Sequence, residues 1–545
     1  MRVVFVNMPL RESAVPNTPP EGPGILAAIL RQEGVDISLI DLNGKRIIDD
    51  IAIKKNLPRG RHMTCHEAKN YFLAHVKKNG TPDVVALSGM ITTLRWQEEF
   101  SKIVKSILPD CFLVTGGGLA TEISEGLFGW IPELDGVARS EGDSIIKDIV
   151  ADAASIKELG IKKYIKSGRI SKHYKGHISG KHRFVYEGGR PKDLNKIPYT
   201  ALDMLESDAY GENLLEFYIN NDVWGLAANN SSAAPFTMKR SLTTVSSRGC
   251  PYSCAFCYRG AQGERNYGMR SVEHIAKQVR GYVDKYKLDF IGFPDDNFAV
   301  SKKRIKRMVP VFKEYGLDNI RWGTHTRMDE ADERVFEMAE SGCVYIGFGA
   351  ESAHETTLKS MNKGGFILKN GIMPVKVRGK VYNFPNTMVN AIMNCHEAGI
   401  HANCTWIMGY PGETLTHLQT SVAFIVWQQD IIKNNLIKNN NGYDDPKIAI
   451  NRNMFTATAY PGTAMFKNKN VKTQLGNNFK ISFDKLGSPI CDENFHKYVL
   501  ELDDATKVLK NKNGDFLNYS EMSNDEFMIA RNYIDSDDVE KILEM

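Results

Sequence analysis

The sequence predicts an α/β protein built from two successive blocks of alternating strands and helices. Residues 1–150 alternate short apolar runs with helical stretches, and residues 241–466 repeat this alternation. Because strands that alternate with helices form parallel sheets, we expect a doubly wound sheet in the first block and an incomplete barrel in the second. Residues 151–240 are more polar and read as a connector, and residues 467–545 as a small, partly helical C-terminal region.

Composition excludes some classes of partner. Lys and Arg total 69 against 65 for Asp and Glu, a net charge of +4, and no block of five or six like charges occurs. We therefore expect no nucleic-acid arm and no polybasic membrane patch. The apolar start is too short for a signal sequence and no run reaches the ~18 apolar residues of a membrane span, so we expect a cytoplasmic protein.

The first block contains five candidate strands. They end in polar or glycine-rich tips, where doubly wound sheets bind ligands. The tips are Asn7–Leu10, Asp41–Gly44, Ser88–Met90, Gly116–Gly118 and Ser140–Asp143. Thr64 and Glu67 form a capping-box pattern that starts a helix between the second and third strands.

The second block contains six candidate β/α units. Their strands are expected to end at Cys250, Pro294, Thr326, Glu351, Met408 and Thr458. The loops at these ends carry the site in such barrels. Residues 364–386 and 431–446 interrupt the alternation of strands and helices. Each segment is either a substrate-facing lid or a solvated insertion, and for residues 431–446 the composition favours a solvated insertion.

Three of the nine cysteines, Cys250, Cys254 and Cys257, lie in one short segment. Three thiolates on a tight loop hold three irons of a four-iron cluster, and the next cysteine in the sequence is Cys343, so the fourth iron is open to another ligand. A zinc site is the alternative, but zinc sites pair such cysteines with a second pair or with spaced histidines, which are lacking here. Cys343, Cys395 and Cys404 are widely spaced and read as buried free thiols rather than as ligands of a second cluster.

The Cys-x3-Cys-x2-Cys segment resembles that of the radical SAM superfamily. The resemblance continues through four ordered segments that each follow a predicted strand: Phe293–Phe298, Gly347–Ser352 with Met361–Lys363, Trp406–Thr414, and Tyr460–Thr463. It implies a partial (β/α)6 TIM-type barrel with a 4Fe-4S cluster on the three cysteines. It also implies S-adenosylmethionine (SAM) on the fourth iron.

The resemblance implies further SAM-site residues. Glu351 and Ser352 would lie near the ribose and the Gly409 loop near the adenine, with Phe256, Asp295 and Asp296 also at the cofactor site. The plainer interpretation of Asp295, Asp296 and Glu351 is loop-end caps or solvated charges. His325, Arg327 and His401 fall on or beside strands and would face the barrel interior, although a buried structural histidine is the commoner outcome.

Residues 1–150 resemble the cobalamin-binding domain that precedes this barrel in a large subgroup, a flavodoxin-like domain. The residues it implies at the cofactor are Asn7, Ser88, Gly89, Gly116, Gly117, Gly118, Glu141 and Gly142. Glycine turns let the backbone approach a bulky ligand. The alternative is tight turns without a ligand.

The sequence departs from the Asp-x-His-x-x-Gly signature of other cobalamin domains. His62, His66 and His75 are the histidines of this block, and none has that context. We therefore expect cobalt without a protein histidine ligand.

The resemblance implies three functions. The first is methylation of an unactivated carbon, or as the less favoured option a phosphorus, of a small molecule or peptide through methylcobalamin and a 5′-deoxyadenosyl radical. The second is a non-methylating radical enzyme such as an oxidative cyclase, and the third is a redox or corrin sensor. A flavodoxin- or ferredoxin-type protein would donate the electrons.

Overall fold

The structure is a computed structural model. It describes residues 1–9, 18–57, 61–220, 239–258, 267–439, 450, 452, 454–503, 508–510, 514 and 516–545. These residues fall into two compact units. Of the described residues, the first unit comprises those within 1–220 and 481–503, and the second comprises those within 239–258, 267–480 and 508–545.

The first unit contains a seven-stranded sheet. Its strands are β1 (Arg2–Asn7), β2 (Asp36–Asp41), β3 (Val84–Ser88), β4 (Phe112–Gly116), β5 (Gly136–Arg139), β6 (Tyr174–Ile178) and β7 (Lys181–Glu187). The order is β2-β1-β3-β4-β5-β7-β6, and every neighbouring pair is parallel except β6 with β7. The doubly wound parallel sheet that the apolar runs predict is confirmed.

Two strands of this sheet come from residues predicted as a connector. β7 pairs with β5 and buries Phe184, Val185 and Tyr186, and β6 returns beside it as a hairpin. A hairpin of mixed polar and aromatic residues at a sheet edge carries a weak sequence pattern, because only one of its strands is deeply buried.

In the described residues of its N-terminal segment, the first unit has nine helices beside the sheet. They are α1 (Glu21–Gln32), α2 (Leu42–Lys54), α3 (Cys65–Asn79), α4 (Leu94–Ile107), α5 (Gly118–Ile123), α6 (Leu127–Trp130), α7 (Ile146–Leu159), α8 (Ile161–Lys166) and α9 (Leu214–Ile219). The predicted capping box is present, since Thr64 and Glu67 each accept a backbone N–H of the other at the start of α3.

The second unit contains six parallel strands. They are β8 (Ser241–Thr243), β11 (Phe290–Phe293), β12 (Arg321–Arg327), β13 (Cys343–Glu351), β16 (His401–Met408) and β17 (Met454–Thr456). Their order is β17-β16-β13-β12-β11-β8, and β8 and β17 form the two open edges, so the sheet is a partial barrel as predicted. Two short strands, β9 (Ser247–Arg248) and β10 (Gly268–Met269), form a separate antiparallel pair beside it.

The helices between these strands are α10 (Val272–Tyr286), α11 (Lys302–Glu314), α12 (Arg334–Glu340), α13 (Glu355–Ser360), α14 (Gly364–Ile367), α15 (Asn386–Glu397) and α16 (Leu415–Asn439). The insertion at 364–386 folds as α14 and a hairpin of β14 (Ile372–Val377) and β15 (Lys380–Pro385). Phe384 packs on Phe424 of α16 with ring centroids 5.1 Å apart, so this insertion lies against that helix. Residues 431–439 of the second insertion continue α16, and 440–446 lie outside the described residues.

The described residues of the C-terminal region include the helices α17 (Lys469–Phe479), α18 (Glu493–Leu500) and α19 (Asn524–Asp535). α18 belongs to the first unit, where Phe495 packs on Trp130 at 5.7 Å between centroids. α19 belongs to the second unit and begins at the Ser523 cap within the stretch predicted as helical. In the described part of the chain, no helix combines the length and apolar character needed to cross a bilayer.

Candidate functional site

The three-cysteine loop of the second unit follows β9 and is held by backbone hydrogen bonds. The Ala255 N–H donates to the Met361 carbonyl at 2.8 Å, and the Ala255 carbonyl accepts from the Met465 N–H at 2.7 Å. Asn362 Nδ2 donates to the Ser253 carbonyl at 2.8 Å. The loop is therefore attached to the segments that follow α13 and β17, two of the predicted site loops.

Within the described residues, none of the three cysteines of this loop forms a disulfide. Cys250 and Cys254 are half-buried and Cys257 is exposed. Across the described residues no three or more His, Cys, Asp or Glu side chains are close enough to hold one metal ion, so the thiols are spread along the loop. Three thiols on an anchored loop are a donor set that fits an iron-sulfur cluster.

Arg327, at the end of β12, contacts this loop. Its Nη1 donates to Sγ of Cys254 at 3.4 Å, and its guanidinium lies 4.0 Å from the ring centroid of Tyr252. Asp329 accepts from Arg327 Nε at 2.9 Å. Burial raises the pKa of the Cys250 thiol, and the positive charge of Arg327 partly opposes this shift.

The two aspartates after β11 hold the backbone that leads into the cysteine loop. Asp295 is buried and accepts from the Ser246 N–H at 2.8 Å and from the Ser247 hydroxyl at 2.6 Å. Asp296 accepts from the Gly249 N–H at 3.0 Å. These contacts give both residues a positioning role at the base of the loop.

Glu351 ends β13 in a left-handed conformation, with φ at 65°. Lys363 donates to Glu351 Oε1 at 3.0 Å and to the Gly349 carbonyl at 2.6 Å, and its ammonium lies 5.8 Å from the Phe256 ring. Gly349 leaves the room for this pair, because a Cβ there would lie 2.4 Å from Glu351 Oε1. The predicted residues Phe256 and Glu351 are thus brought together by Lys363, the last residue of the Met361–Lys363 segment, for which the sequence pattern predicts no role.

Ser352 is fully buried and points to α16. Its Oγ lies 3.2 Å from Oγ of Ser421 and accepts from the His354 N–H at 3.1 Å. Gly409 follows β16 with φ at 78°, and its N–H donates to Glu413 Oε2 at 2.6 Å. These contacts fix the ends of both predicted SAM loops.

Glu413 is the buried acid of the loop after β16. Its Oε1 has no hydrogen-bond partner in the part of the chain that the structure describes. Burial raises the pKa of its carboxyl to about 8, against the opposing effect of the backbone N–H groups of Gly409 and Tyr410. Glu413 lies in the Trp406–Thr414 segment, but nothing in the spacing of that segment predicts that this residue is buried.

Two histidines lie within the barrel strands. His325 is in register with Gly347 and, across the next strand, with Asn403. A Cβ at Gly347 would lie 2.5 Å from His325 Cδ2, so the glycine makes room for the imidazole. Burial lowers the pKa of His325 and of His401 to about 4, so both rings are neutral at physiological pH.

The candidate site of the first unit lies at the carboxyl edge of its sheet. The turns at Gly89 and Gly117 touch each other: Leu119 N–H donates to the Gly89 carbonyl at 3.4 Å, and a Cβ at Gly117 would lie 2.6 Å from that oxygen. Gly117 also has φ at 89°. Packing of the two turns therefore requires glycine at position 117. Because Gly116, Gly117 and Gly118 have no side chains, the turn exposes its backbone, and this fits the close approach of a large ligand.

The remaining predicted residues of this edge have protein partners. Asn7 donates to buried Asp41 at 2.8 Å, and Asp41 also accepts from the Tyr218 hydroxyl at 2.9 Å. Glu141 forms an ion pair with Arg190. The Ser88 carbonyl accepts from the Met8 N–H at 3.1 Å, and a Cβ at Gly142 would lie 3.1 Å from Leu26.

The three histidines before residue 150 differ in their surroundings. His75 is buried and bonds to Ser38 Oγ at 2.8 Å, and burial lowers its pKa to about 4. His62 lines a small cavity beyond the carboxyl ends of β1 and β2, together with Trp96. His66 is exposed on the first turn of α3.

Comparison with known proteins matches both units. The profile of the radical SAM superfamily matches residues 244–425, and that of the B12 binding domain matches residues 9–150. The chain is 26% identical over 476 residues to an uncharacterized methyltransferase of Pyrococcus horikoshii, covering 86% of this chain and 83% of that protein. It is 21% identical over 365 residues to the anaerobic magnesium-protoporphyrin IX monomethyl ester cyclase of Cereibacter sphaeroides, covering 66% of this chain and 52% of the cyclase.

A solved structure shares the fold. The cobalamin-dependent S-adenosylmethionine radical enzyme OxsB, with aqua-cobalamin and S-adenosylmethionine bound, matches with a TM-score of 0.57 at 16% identity. The match covers 92% of this chain and 65% of OxsB.

Proposed function

Because this chain belongs to the radical SAM superfamily and carries a B12-binding domain, we propose that it is a cobalamin-dependent methyltransferase. The acceptor is an unactivated carbon, or as the less favoured option a phosphorus, of a small molecule or peptide. The observation that carries the proposal is the three-cysteine loop anchored at the carboxyl ends of the barrel strands through Ala255. The relative in Pyrococcus horikoshii, itself described as a methyltransferase, supports this reaction class.

The cofactors are a 4Fe-4S cluster, SAM and cobalamin. When bound, the cluster and SAM supply a 5′-deoxyadenosyl radical that abstracts hydrogen, and the cobalamin supplies the methyl group. We propose that Cys250, Cys254 and Cys257 hold three irons. In the same proposal Phe256, Glu351, Ser352 and Gly409 belong to the SAM site, and the Gly89 and Gly116–Gly118 turns contact the cobalamin.

The protein's own groups position these components. Lys363 forms an ion pair with Glu351 beside the cysteine loop, so both buried charged side chains have a partner. Asp295 and Asp296 fix the backbone entering that loop. Holding reactants in a defined geometry supplies much of the rate enhancement in such reactions.

We further propose that residues 1–150 form the cobalamin domain and 241–466 the radical SAM domain, with 151–240 between them and 467–545 following. We also propose that the enzyme works in the cytoplasm with a flavodoxin- or ferredoxin-type electron donor. The absence of a disulfide among the three loop cysteines supports this location, because the cytoplasm keeps thiols reduced and thus available as ligands.

The second candidate is an oxidative cyclase or another non-methylating radical enzyme. The similarity to the Cereibacter sphaeroides cyclase favours it, although this chain spans only 52% of that protein.

Labelled SAM separates the two candidates. Anaerobically reconstituted enzyme with cobalamin, a low-potential reductant and SAM carrying a deuterated methyl group should transfer the label to the cobalamin and release S-adenosylhomocysteine. With a substrate fraction added, 5′-deoxyadenosine should accumulate in parallel and the product mass should increase by the label. Formation of 5′-deoxyadenosine without S-adenosylhomocysteine or label would reject methylation in favour of the cyclase reaction.

A further inference from the structure

A buried arginine contacts one of the proposed cluster cysteines. Arg327 is 6% exposed, and its Nη1 donates to Sγ of Cys254 at 3.4 Å. Hydrogen bonds from a charged donor to an ionised acceptor are about twice as strong as neutral ones. The interaction therefore strengthens when Cys254 is a thiolate, the form that ligates iron.

The geometry around Arg327 leaves the guanidinium little freedom. One face lies 4.0 Å from the ring centroid of Tyr252, which stands between Cys250 and Cys254 in the loop. Asp329 accepts from Nε at 2.9 Å, and the Tyr252 hydroxyl in turn donates to Glu330 at 3.0 Å. The donor is thus fixed by contacts on two sides.

The Arg327–Asp329 pair is oriented as a dipole towards the sulfur. Asp329 contacts Nε, whereas Nη1 faces Cys254, so the positive group is the part of the pair in contact with the thiol. Because both side chains are buried, solvent screens this dipole weakly.

We propose that Arg327 raises the reduction potential of the cluster by donating to the Cys254 sulfur. The inference rests on the proposed cluster ligation by the three cysteines. Hydrogen bonds to cluster sulfurs and the net charge around a cluster set its potential. Reduction adds negative charge to the cluster, and a positive donor on its ligand stabilises the reduced state relative to the oxidised state.

A matched control exists in the same unit. Arg334 is also 6% exposed and pairs with an aspartate two residues away, Asp332, at 2.6 Å. It also donates to the Ala299 carbonyl, and none of its contacts in the described residues is to a cysteine. Replacing Arg334 therefore removes a buried, paired arginine without removing a donor to sulfur.

The test is a redox titration of the reconstituted holoprotein, without SAM, monitored by the electron paramagnetic resonance signal of the reduced cluster. Arg327→Gln should shift the midpoint potential to more negative values by about 59 mV or more, which is a tenfold change in the one-electron equilibrium. Arg327→Lys keeps the charge but not the planar donor, so its shift should be smaller. Arg334→Gln should leave the potential at the wild-type value.

The iron content of the purified proteins distinguishes a failure of the proposed cluster ligation from a failure of the proposed role of Arg327. Wild-type protein without a cluster would refute the proposed ligation, whereas Arg327→Gln with full iron content and an unchanged potential would refute only the role of Arg327. If Arg327→Gln binds no iron, Asp329→Asn provides the second test. That variant keeps the guanidinium and loses the negative charge, so the potential should shift to more positive values, and an unchanged or more negative value would overturn the inference.

Discussion

The ring of Phe527 lies directly against the backbone of Gly409. A Cβ built on Gly409 would lie 2.5 Å from Cε2 of Phe527. Phe527 is on α19, in the C-terminal region, while Gly409 begins the proposed adenine loop. Helix α19 therefore supports a loop of the proposed SAM site within the second unit.

Gly409→Ala is expected to weaken SAM binding and lower the thermal unfolding midpoint. The substitution adds backbone strain at positive φ and a clash with the Phe527 ring, and together these effects cost about 2–4 kcal/mol. Gly412→Ala is the matched control, since its φ is 83° and a Cβ there meets no heavy atom within 4 Å. Equal effects of the two substitutions on SAM affinity and unfolding midpoint would show that the Phe527 contact contributes nothing.

Glu413 is expected to make stability depend on pH between about 4.5 and about 8. Its pKa is raised from 4.5 to about 8 by burial, so in this window the unfolded chain loses the proton while the folded protein keeps it. The free energy of unfolding should fall as pH rises through the window, by roughly 1.4 kcal/mol per pH unit. The contribution is complete below the lower value and is lost once pH exceeds the upper one.

Denaturant unfolding of wild-type protein and Glu413→Gln across this range measures the effect. The glutamine cannot titrate and still accepts from the Gly409 N–H. The difference between the two curves therefore isolates Glu413. Parallel curves would contradict the raised pKa.

Replacement of Cys250, Cys254 or Cys257 by alanine is expected to abolish the four-iron cluster, because three thiolates are the minimum ligation available on the loop. Cys65→Ala, which removes an exposed thiol elsewhere, and Cys404→Ala, which removes a buried thiol of β16, should retain full iron content. Iron and sulfide analysis with absorption spectroscopy provides the measurement. A full cluster in any of the three loop variants would remove that cysteine from the ligand set.

Gly117→Ala is expected to lower cobalamin content together with stability. The added Cβ would meet the Gly89 carbonyl oxygen at 2.6 Å, at a backbone φ of 89°. Gly34→Ala is the control, because its φ is 74° and no heavy atom lies within 4 Å of the new Cβ, so it reports strain alone at about 1 kcal/mol. Cobalamin bound per protein and the unfolding midpoint are measured for both. Undiminished cobalamin in a folded Gly117→Ala protein would place the ligand away from this turn.

Local patterns in the sequence were sufficient for the two parallel sheets and the three-cysteine loop. Apolar runs such as Val3–Val6 form buried strands because each strand is covered on both faces, and this burial is visible as a continuous run. The spacing of the cysteines is a local property that needs no fold to be recognised. The same holds for the capping box at Thr64.

Only the tertiary structure decided which distant groups meet at the site. Arg327 and Cys254 are 73 residues apart, and Lys363 reaches Glu351 because α13 returns the chain to the end of β13. The addition of β6 and β7 to the first sheet, and the contact of Phe527 with Gly409, likewise depend on how elements pack. Hydrophobic periodicity specifies which face of an element is buried, whereas the partner of each buried polar group is set by the packing of whole elements, which no local spacing encodes.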